Sequence, residues 1–211
     1  MTPASRHQTT RSPIGRSSRK RSGLPPIILA SSSARRRALL RQIGLPFKAV
    51  PARIEEVYRG EPPETFARRM SALKAAKVSS RHKGFVVIGA DTIVVLGRQV
   101  LGKPKDPASA VAMAKALSGR VHRVITGVTV RKDAKEFTGA ETTRVKFRPL
   151  RSEVISHYVE SGEPMDKAGA YGIQGRGILL VDRIEGCYTN VVGLPLGLLS
   201  ELLERLGVRL P

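Results

Sequence analysis

The chain has 211 residues, a net charge of +20 and an apolar fraction of 41%, with aromatics at only 4%. That length suits one domain or two closely joined lobes, and no apolar run approaches the ~20 residues of a membrane span. Cys187 is the only cysteine, so an intramolecular disulfide is excluded; this fits a reducing compartment, and the expected location is the cytoplasm.

Residues 1–26 hold six basic side chains (Arg6, Arg11, Arg16, Arg19, Lys20, Arg21) and no acidic one. The rest keeps 31 basic against 17 acidic residues, a net of +14. Such charge attracts nucleotides, RNA or DNA, and it is equally the mark of a solvated basic surface. The first 26 residues are rich in Ser, Arg and Pro without apolar periodicity. They read as a disordered tail ahead of one domain over 27–211. Their composition also resembles a transit peptide and lacks the apolar centre of a secretory signal.

Residues 27–30 (Ile-Ile-Leu-Ala) predict a short buried strand. Ser31 to Ser33 offer caps for a helix over 34–43, which Gly44 stops. A second helix over 64–79 carries Phe66, Met70 and Leu73 at helical spacing. Residues 85–96 read as two strand-like runs around Gly89-Ala90-Asp91, which places Asp91 at a strand end. Asp106 followed by Pro107 predicts an N-cap and a helix closing near Ser118-Gly119. Strands are expected over 122–132 and 141–148, the second alternating Val145 and Phe147 against Arg144, Lys146 and Arg148. Residues 152–161 form a helix ended by Gly162. Residues 177–184 and 188–192 read as two further strands joined at Glu185-Gly186, and 196–206 as a last amphipathic helix. Helices alternate with strands without internal repeats, so the class is α/β with a mixed sheet flanked by helices.

Three arginines, Arg35, Arg36 and Arg37, fall in the first turn of the first helix. The macrodipole there is positive, so an anion is needed to make the cluster favourable, or else the side chains splay into water. Serine hydroxyls, free amides and guanidinium groups together make a phosphate cradle. Asp91, after an apolar run, is placed to hold a divalent cation or orient a water, and a turn aspartate looks the same in isolation. Glu55 and Glu56 form an acidic pair with no further signal of their own. Residues 97–104 approach a phosphate-binding loop but end in Pro104, which lacks both the metal-binding hydroxyl and the amide; only Lys103 is retained as a phosphate contact. The segment 166–175 (Asp-Lys-Ala-Gly-Ala-Tyr-Gly-Ile-Gln-Gly) is a glycine-rich loop. Its Gln174 can donate to and accept from a base edge.

Taken together, the segments 29–36, 89–94, 102–104, 117–119, 166–175 and 191–196 resemble the Maf family of nucleoside triphosphate pyrophosphatases, over about residues 27–206. The resemblance implies two lobes around a nucleotide cleft, commonly a homodimer, and a divalent cation, Mg2+ or Mn2+, as cofactor. It implies hydrolysis of a nucleoside triphosphate to the monophosphate and pyrophosphate. Asp91 matches the family's proton acceptor, and Arg35, Thr92 and Gln174 match positions tied to substrate choice. Ser31, Arg36, Glu56, Lys74 and Lys103 match further active-site positions, with Glu56 and Asp91 as the metal carboxylates. The 166–175 form resembles the subgroup acting on dTTP and UTP. One departure is Ala34, where the family usually has proline. The alternatives are a 7-methyl-GTP pyrophosphatase and a nucleic-acid-binding regulator of cell division using the basic tail. Against the second stand the missing aromatic stacking array and the absence of a helix-turn-helix signal.

Overall fold

A seven-stranded mixed sheet organises the chain in the computed structural model, which describes residues 24–210. Most of the expected tail, residues 1–23, lies outside the described residues. The strands are β1 (Ile27–Leu29), β2 (Lys48–Ala49), β3 (Val86–Leu96), β4 (Gln99–Leu101), β5 (Val121–Lys132), β6 (Lys135–Phe147) and β7 (Val181–Glu185). Their order is β2-β1-β3-β5-β6-β7, with β4 pairing β3. The pairs β1–β2 and β1–β3 are parallel and the others antiparallel. The helices are α1 (Ala34–Gln42), α2 (Pro63–Ser79), α3 (Pro107–Leu117), α4 (Ser152–Glu160), α5 (Tyr188–Val192) and α6 (Leu196–Arg205).

Alternation along β3 divides the core. Val87, Ile93 and Val95 pack with Phe66, Met70, Ala75 and Val78 of α2. Ile88 and Ala90 pack on the other face with Leu39, Leu40, Leu199 and Leu203 of α1 and α6. Leu40, Leu199 and Leu203 are fully buried, and each contributes roughly 2 kcal/mol of transfer free energy. The helix α2 lies so close to the sheet that a Cβ on Gly89 would stand 2.2 Å from the carbonyl oxygen of Ser71. Glycine at this strand position is therefore a packing requirement, not a turn signal.

That packing corrects the reading of 85–96 as two runs. It is one eleven-residue strand, and Asp91 lies in its middle rather than at an end. Leu73 is also corrected: it is 44% exposed, because the sheet-facing stripe of α2 runs through Met70, Ser71, Lys74, Ala75 and Val78 instead. The two strands expected after residue 176 differ most. Gly175–Leu180 is a 3-10 turn, the strand covers only Val181–Glu185, and Tyr188–Val192 is a helix. The Asn190 side chain explains the last change. Its amide donates to the Val124 carbonyl and to the Thr143 hydroxyl, 2.9 Å each, so α5 is stitched onto the sheet rather than added as a strand. A five-residue segment does not distinguish these states by period.

The strand expected over 141–148 is longer: β6 runs over Lys135–Phe147, because its pairing with β5 continues to Lys132 and Lys135, and the short strands β2 and β4 were not expected. Other local expectations hold. Asp106 caps α3 by accepting from the Ser109 amide at 2.7 Å, with Pro107 at the first helical position. Gly162 turns the chain after α4 with φ +72°. At the end of β6, Val145 and Phe147 are buried, Arg144 is exposed and Lys146 half-buried, and Arg148 just past the strand is exposed, in keeping with the alternation. No helix among the described residues is long and apolar enough to cross a membrane.

Candidate active site

The site begins at an interruption in the sheet. Along one edge of β3, β1 pairs only as far as Ile88 and β4 starts only at Val94. Between these points the edge of β3 has no strand neighbour, and Asp91 and Thr92 sit there. The interruption exists because the chain leaves β1 at Ala30, whose amide makes the last bond to the Ile88 carbonyl at 2.8 Å. The next residues, 31–33, then lead into α1. A cleft of about 570 Å³ occupies this gap.

The nine residues matched to the family's site line that one cleft: Ser31, Arg35, Arg36, Glu56, Lys74, Asp91, Thr92, Lys103 and Gln174; Arg37 and Glu55, considered beside them, do not. They come from distant parts of the chain. Ser33 caps α1, its hydroxyl accepting from the Arg36 amide at 3.4 Å. Ser31 accepts from the Ser33 amide at 3.2 Å. The two bonds set the start of α1 at the cleft, as the serine run predicted.

Arg36 turns inward, not outward. Its Nε donates to the Gly193 carbonyl at 2.7 Å, its Nη1 to the Ala90 carbonyl at 2.9 Å and Ser31 Oγ at 3.3 Å, and its Nη2 to Thr92 Oγ1 at 2.9 Å. The Ala90 carbonyl is an acceptor on the unpaired edge of β3, and Arg36 satisfies it where a strand would have. Burial lowers the guanidinium's pKa from its ordinary value, while the Asp91 carboxylate pulls the other way. Arg36 thus ties α1, β3 and the end of α5 together, with most of its hydrogen bonds spent on the protein. Arg35, beside it, is only partly covered and faces Asp166 at 3.6 Å.

Lys74 rises from α2 to stand between two carboxylates. Its Nζ is 2.5 Å from Asp91 Oδ1 and 2.6 Å from Glu56 Oε1. Lys74 and Asp91 are buried, and Glu56 is half-exposed. Burial alone would raise the Glu56 pKa, but the Lys74 charge and hydrogen bond, with lesser pulls from Lys103 and Arg36, hold it below the ordinary carboxylate value. For Asp166 burial is likewise outweighed, here by Lys167 and then Arg35, and the pKa is lowered.

The 166–175 segment forms the opposite wall. Gly169 has φ +69°, and a Cβ there would stand 2.8 Å from the Val94 side chain. Its amide donates to the Gly102 carbonyl at 2.9 Å, which joins this wall to the Lys103 loop. Gln174 is exposed on the cleft rim. The cleft also takes in Tyr58, Phe66 and Gly193, to which sequence reasoning assigned no role. Gly193 was legible only as part of a motif. Its part is set by a carbonyl 157 residues from Arg36 in the chain, which no local pattern announces.

A model of the Maf-like protein family matches residues 26–206. The chain belongs to the Maf family. Several relatives are named dTTP/UTP pyrophosphatase. The one from Symbiobacterium thermophilum is 51% identical over 182 residues, covering 86% of this chain and 94% of that protein. The one from Myxococcus xanthus is 50% identical over 186 residues, covering 88% and 94%. The one from Thermococcus gammatolerans is 50% identical over 178 residues, covering 84% and 95%. In this Maf protein the cleft joins a positive side (Arg35, Lys103 and the α1 start), a buried carboxylate at Asp91 and an amide at Gln174.

Proposed function

We propose that the protein hydrolyses dTTP and UTP, and 5-modified pyrimidine triphosphates, to the nucleoside monophosphate and pyrophosphate. The observation that carries this is the placement of Asp91 on the unpaired edge of β3, facing the same cleft as Arg35, Lys103 and Gln174. The names and high identity of the relatives support the same substrates. The role would be house-cleaning of the nucleotide pool, in the cytoplasm. The homodimer implied by the family resemblance belongs to the proposal, and sedimentation velocity tests it.

The chemistry follows from the charges. Arg35, Lys103 and the free amides at the α1 start hold the triphosphate. Asp91 accepts a proton from the water that attacks the α-phosphorus. The new bond is water oxygen to phosphorus, the α–β bridging bond breaks, and pyrophosphate leaves with its electron pair. Lys74 holds Asp91 in place and offsets the charge that develops nearby.

A divalent cation is part of the proposal, and the donor set supports one form of it. Among the described residues no group of three or more His, Cys, Asp or Glu side chains comes together to hold a metal. Two carboxylates, Asp91 and Glu56, do share one point, now at the Lys74 ammonium. That set fits a Mg2+- or Mn2+-type ion which keeps waters and takes phosphate oxygens from the substrate, not an all-protein cage. Such an ion would supply charge neutralisation of the triphosphate.

Base choice is assigned to Gln174. Its amide donates to one pyrimidine carbonyl and accepts from N3–H. Uracil and thymine share that edge and differ by the C5 methyl, whereas cytosine reverses part of it. A screen over dTTP, UTP, CTP, ATP, GTP and 7-methyl-GTP, with pyrophosphate and orthophosphate measured separately, tests the proposal. The expected result is pyrophosphate release, with dTTP and UTP favoured by more than about tenfold, and loss of that preference in Gln174→Glu. A preference for 7-methyl-GTP, or equal use of all six, would sink the base assignment; orthophosphate as the first product would sink the reaction.

A further inference from the structure

We propose that Glu163, acting with Tyr158, is the positioning residue for the base-reading loop that carries Gln174. The inference rests on the assignment of Gln174 to base choice. Neither Glu163 nor Tyr158 has a part in the phosphate chemistry above.

Among the described residues the Gln174 side chain makes no hydrogen bond; its neighbours on both sides do instead. Before it, the Gly172 amide donates to the Tyr158 hydroxyl at 3.2 Å. After it, the Arg176 amide donates to Glu163 Oε2 at 2.9 Å, and the Gly177 amide to Oε1 at 3.2 Å. The Tyr158 hydroxyl in turn donates to Glu163 Oε1 at 3.1 Å. The bonds form one chain, from Gly172 through Tyr158 to the Glu163 carboxylate and back to Gly177 and Arg176. They close the loop two residues on either side of Gln174. Burial, the largest influence on the Tyr158 phenol, pushes its pKa up, so it remains the donor this chain requires.

The loop is shaped around that carboxylate. Gly175 has φ +66°, and a Cβ there would stand 2.9 Å from Glu163 Oε2. A Cβ on Gly177 would stand 2.1 Å from the Gly172 carbonyl oxygen and 2.8 Å from the Tyr158 hydroxyl. Gly175 is favoured by its positive φ, and Gly177 by the close approach of the Gly172 backbone, with the Tyr158 hydroxyl beside it. An ionised carboxylate accepting two backbone amides and a phenol makes bonds about twice as strong as neutral ones. A glutamine in its place turns one acceptor into a donor that faces an N–H. At the start of the 3-10 turn Gly175–Leu180, the Arg176 and Gly177 amides thus bond to Glu163 and not to a strand neighbour.

The test uses the full chain with three variants: Glu163→Gln, Tyr158→Phe and Gln174→Ala. Amide hydrogen exchange over 172–177 reads the clamp without reference to activity. Steady-state kinetics with dTTP, UTP and CTP read the base preference. Glu163→Gln should speed exchange over 172–177 by about tenfold and reduce the dTTP-over-CTP ratio of kcat/KM by about tenfold. The change should appear mainly in KM for dTTP, with CTP little affected. Tyr158→Phe, which removes one hydroxyl from an otherwise unchanged ring, should do the same to a smaller degree. It also serves if Glu163→Gln fails to fold. Unchanged exchange in both clamp variants overturns the clamp. If Gln174→Ala loses the preference while both clamp variants keep it, the positioning role is overturned and the base assignment stands. If Gln174→Ala itself keeps the preference, the base assignment falls and the positioning role falls with it. Equal losses for all three substrates would mark a merely structural residue.

Discussion

The Nζ of Lys74 lies 2.5 Å from Oδ1 of Asp91, and the two come from elements that meet only because Gly89 lets α2 approach β3. Both are buried, and a second carboxylate, Glu56, shares the ammonium. The site's charge is therefore set by helix-to-sheet packing as well as by the side chains themselves.

Asp91→Asn should remove most turnover while leaving a folded protein. The amide is nearly isosteric with the carboxylate but neither takes a proton nor neutralises a cation. Loss of a proton acceptor costs on the order of 10²-fold or more in kcat. Circular dichroism and steady-state kinetics on the same preparation check this, and near-parental turnover would rule Asp91 out of the reaction.

Gly89→Ala should act at a distance. The added Cβ would meet the Ser71 carbonyl at 2.2 Å and the Ala75 amide nitrogen at 2.8 Å, so α2 must move off the sheet. Overpacking of this kind costs about 1–3 kcal/mol or more. Lys74 moves with the helix, so kcat should fall together with Tm. An unchanged Tm by scanning calorimetry would show that the helix does not press on β3.

Arg36→Lys should lower both activity and stability. One ammonium does not reach the Gly193 carbonyl, the Ala90 carbonyl and the Thr92 hydroxyl together, as the guanidinium fork does. Each buried acceptor left bare costs about 1–3 kcal/mol. Thermal melts and kcat/KM for dTTP read the two effects, and parental values for both would mean that Arg36 does not tie these elements.

His122 predicts how stability depends on pH. It is buried, its Nε2 lies 2.7 Å from the Tyr171 hydroxyl, and burial pushes its pKa down to about 4 from 6.5. Between those values the unfolded chain binds a proton that the folded chain does not. Its stabilising contribution is therefore complete above pH 6.5 and drains as pH falls toward 4, by about 3 kcal/mol in all. Carboxylates such as Glu56, with a lowered pKa, add their own loss below about pH 4.5. Comparing Tm against pH for the parent and His122→Asn isolates the histidine. Parallel curves between pH 6.5 and 4.5 would refute the assignment.

By itself the sequence determined the local parts. Caps and periodicity are short-range, so the α1 start at Ser33, the Asp106-Pro107 start of α3 and the alternation on β6 were all legible. Seven of the nine candidate site residues lie in the contiguous motifs that carry the resemblance, whereas Glu56 and Lys74 lie outside them and are joined to the cleft only by the fold. Tertiary structure alone decided how these parts meet. It made 86–96 one strand with Asp91 at an unpaired edge, because β1 ends before β4 begins. It turned 188–192 into a helix through the Asn190 bonds to Val124 and Thr143. It turned the Arg176 and Gly177 amides onto Glu163, and it spent Arg36 on carbonyls far away in the chain. Each of these outcomes depends on which backbone acceptors and donors are left unpaired once the sheet has formed, a property of the assembled fold and not of any stretch of residues.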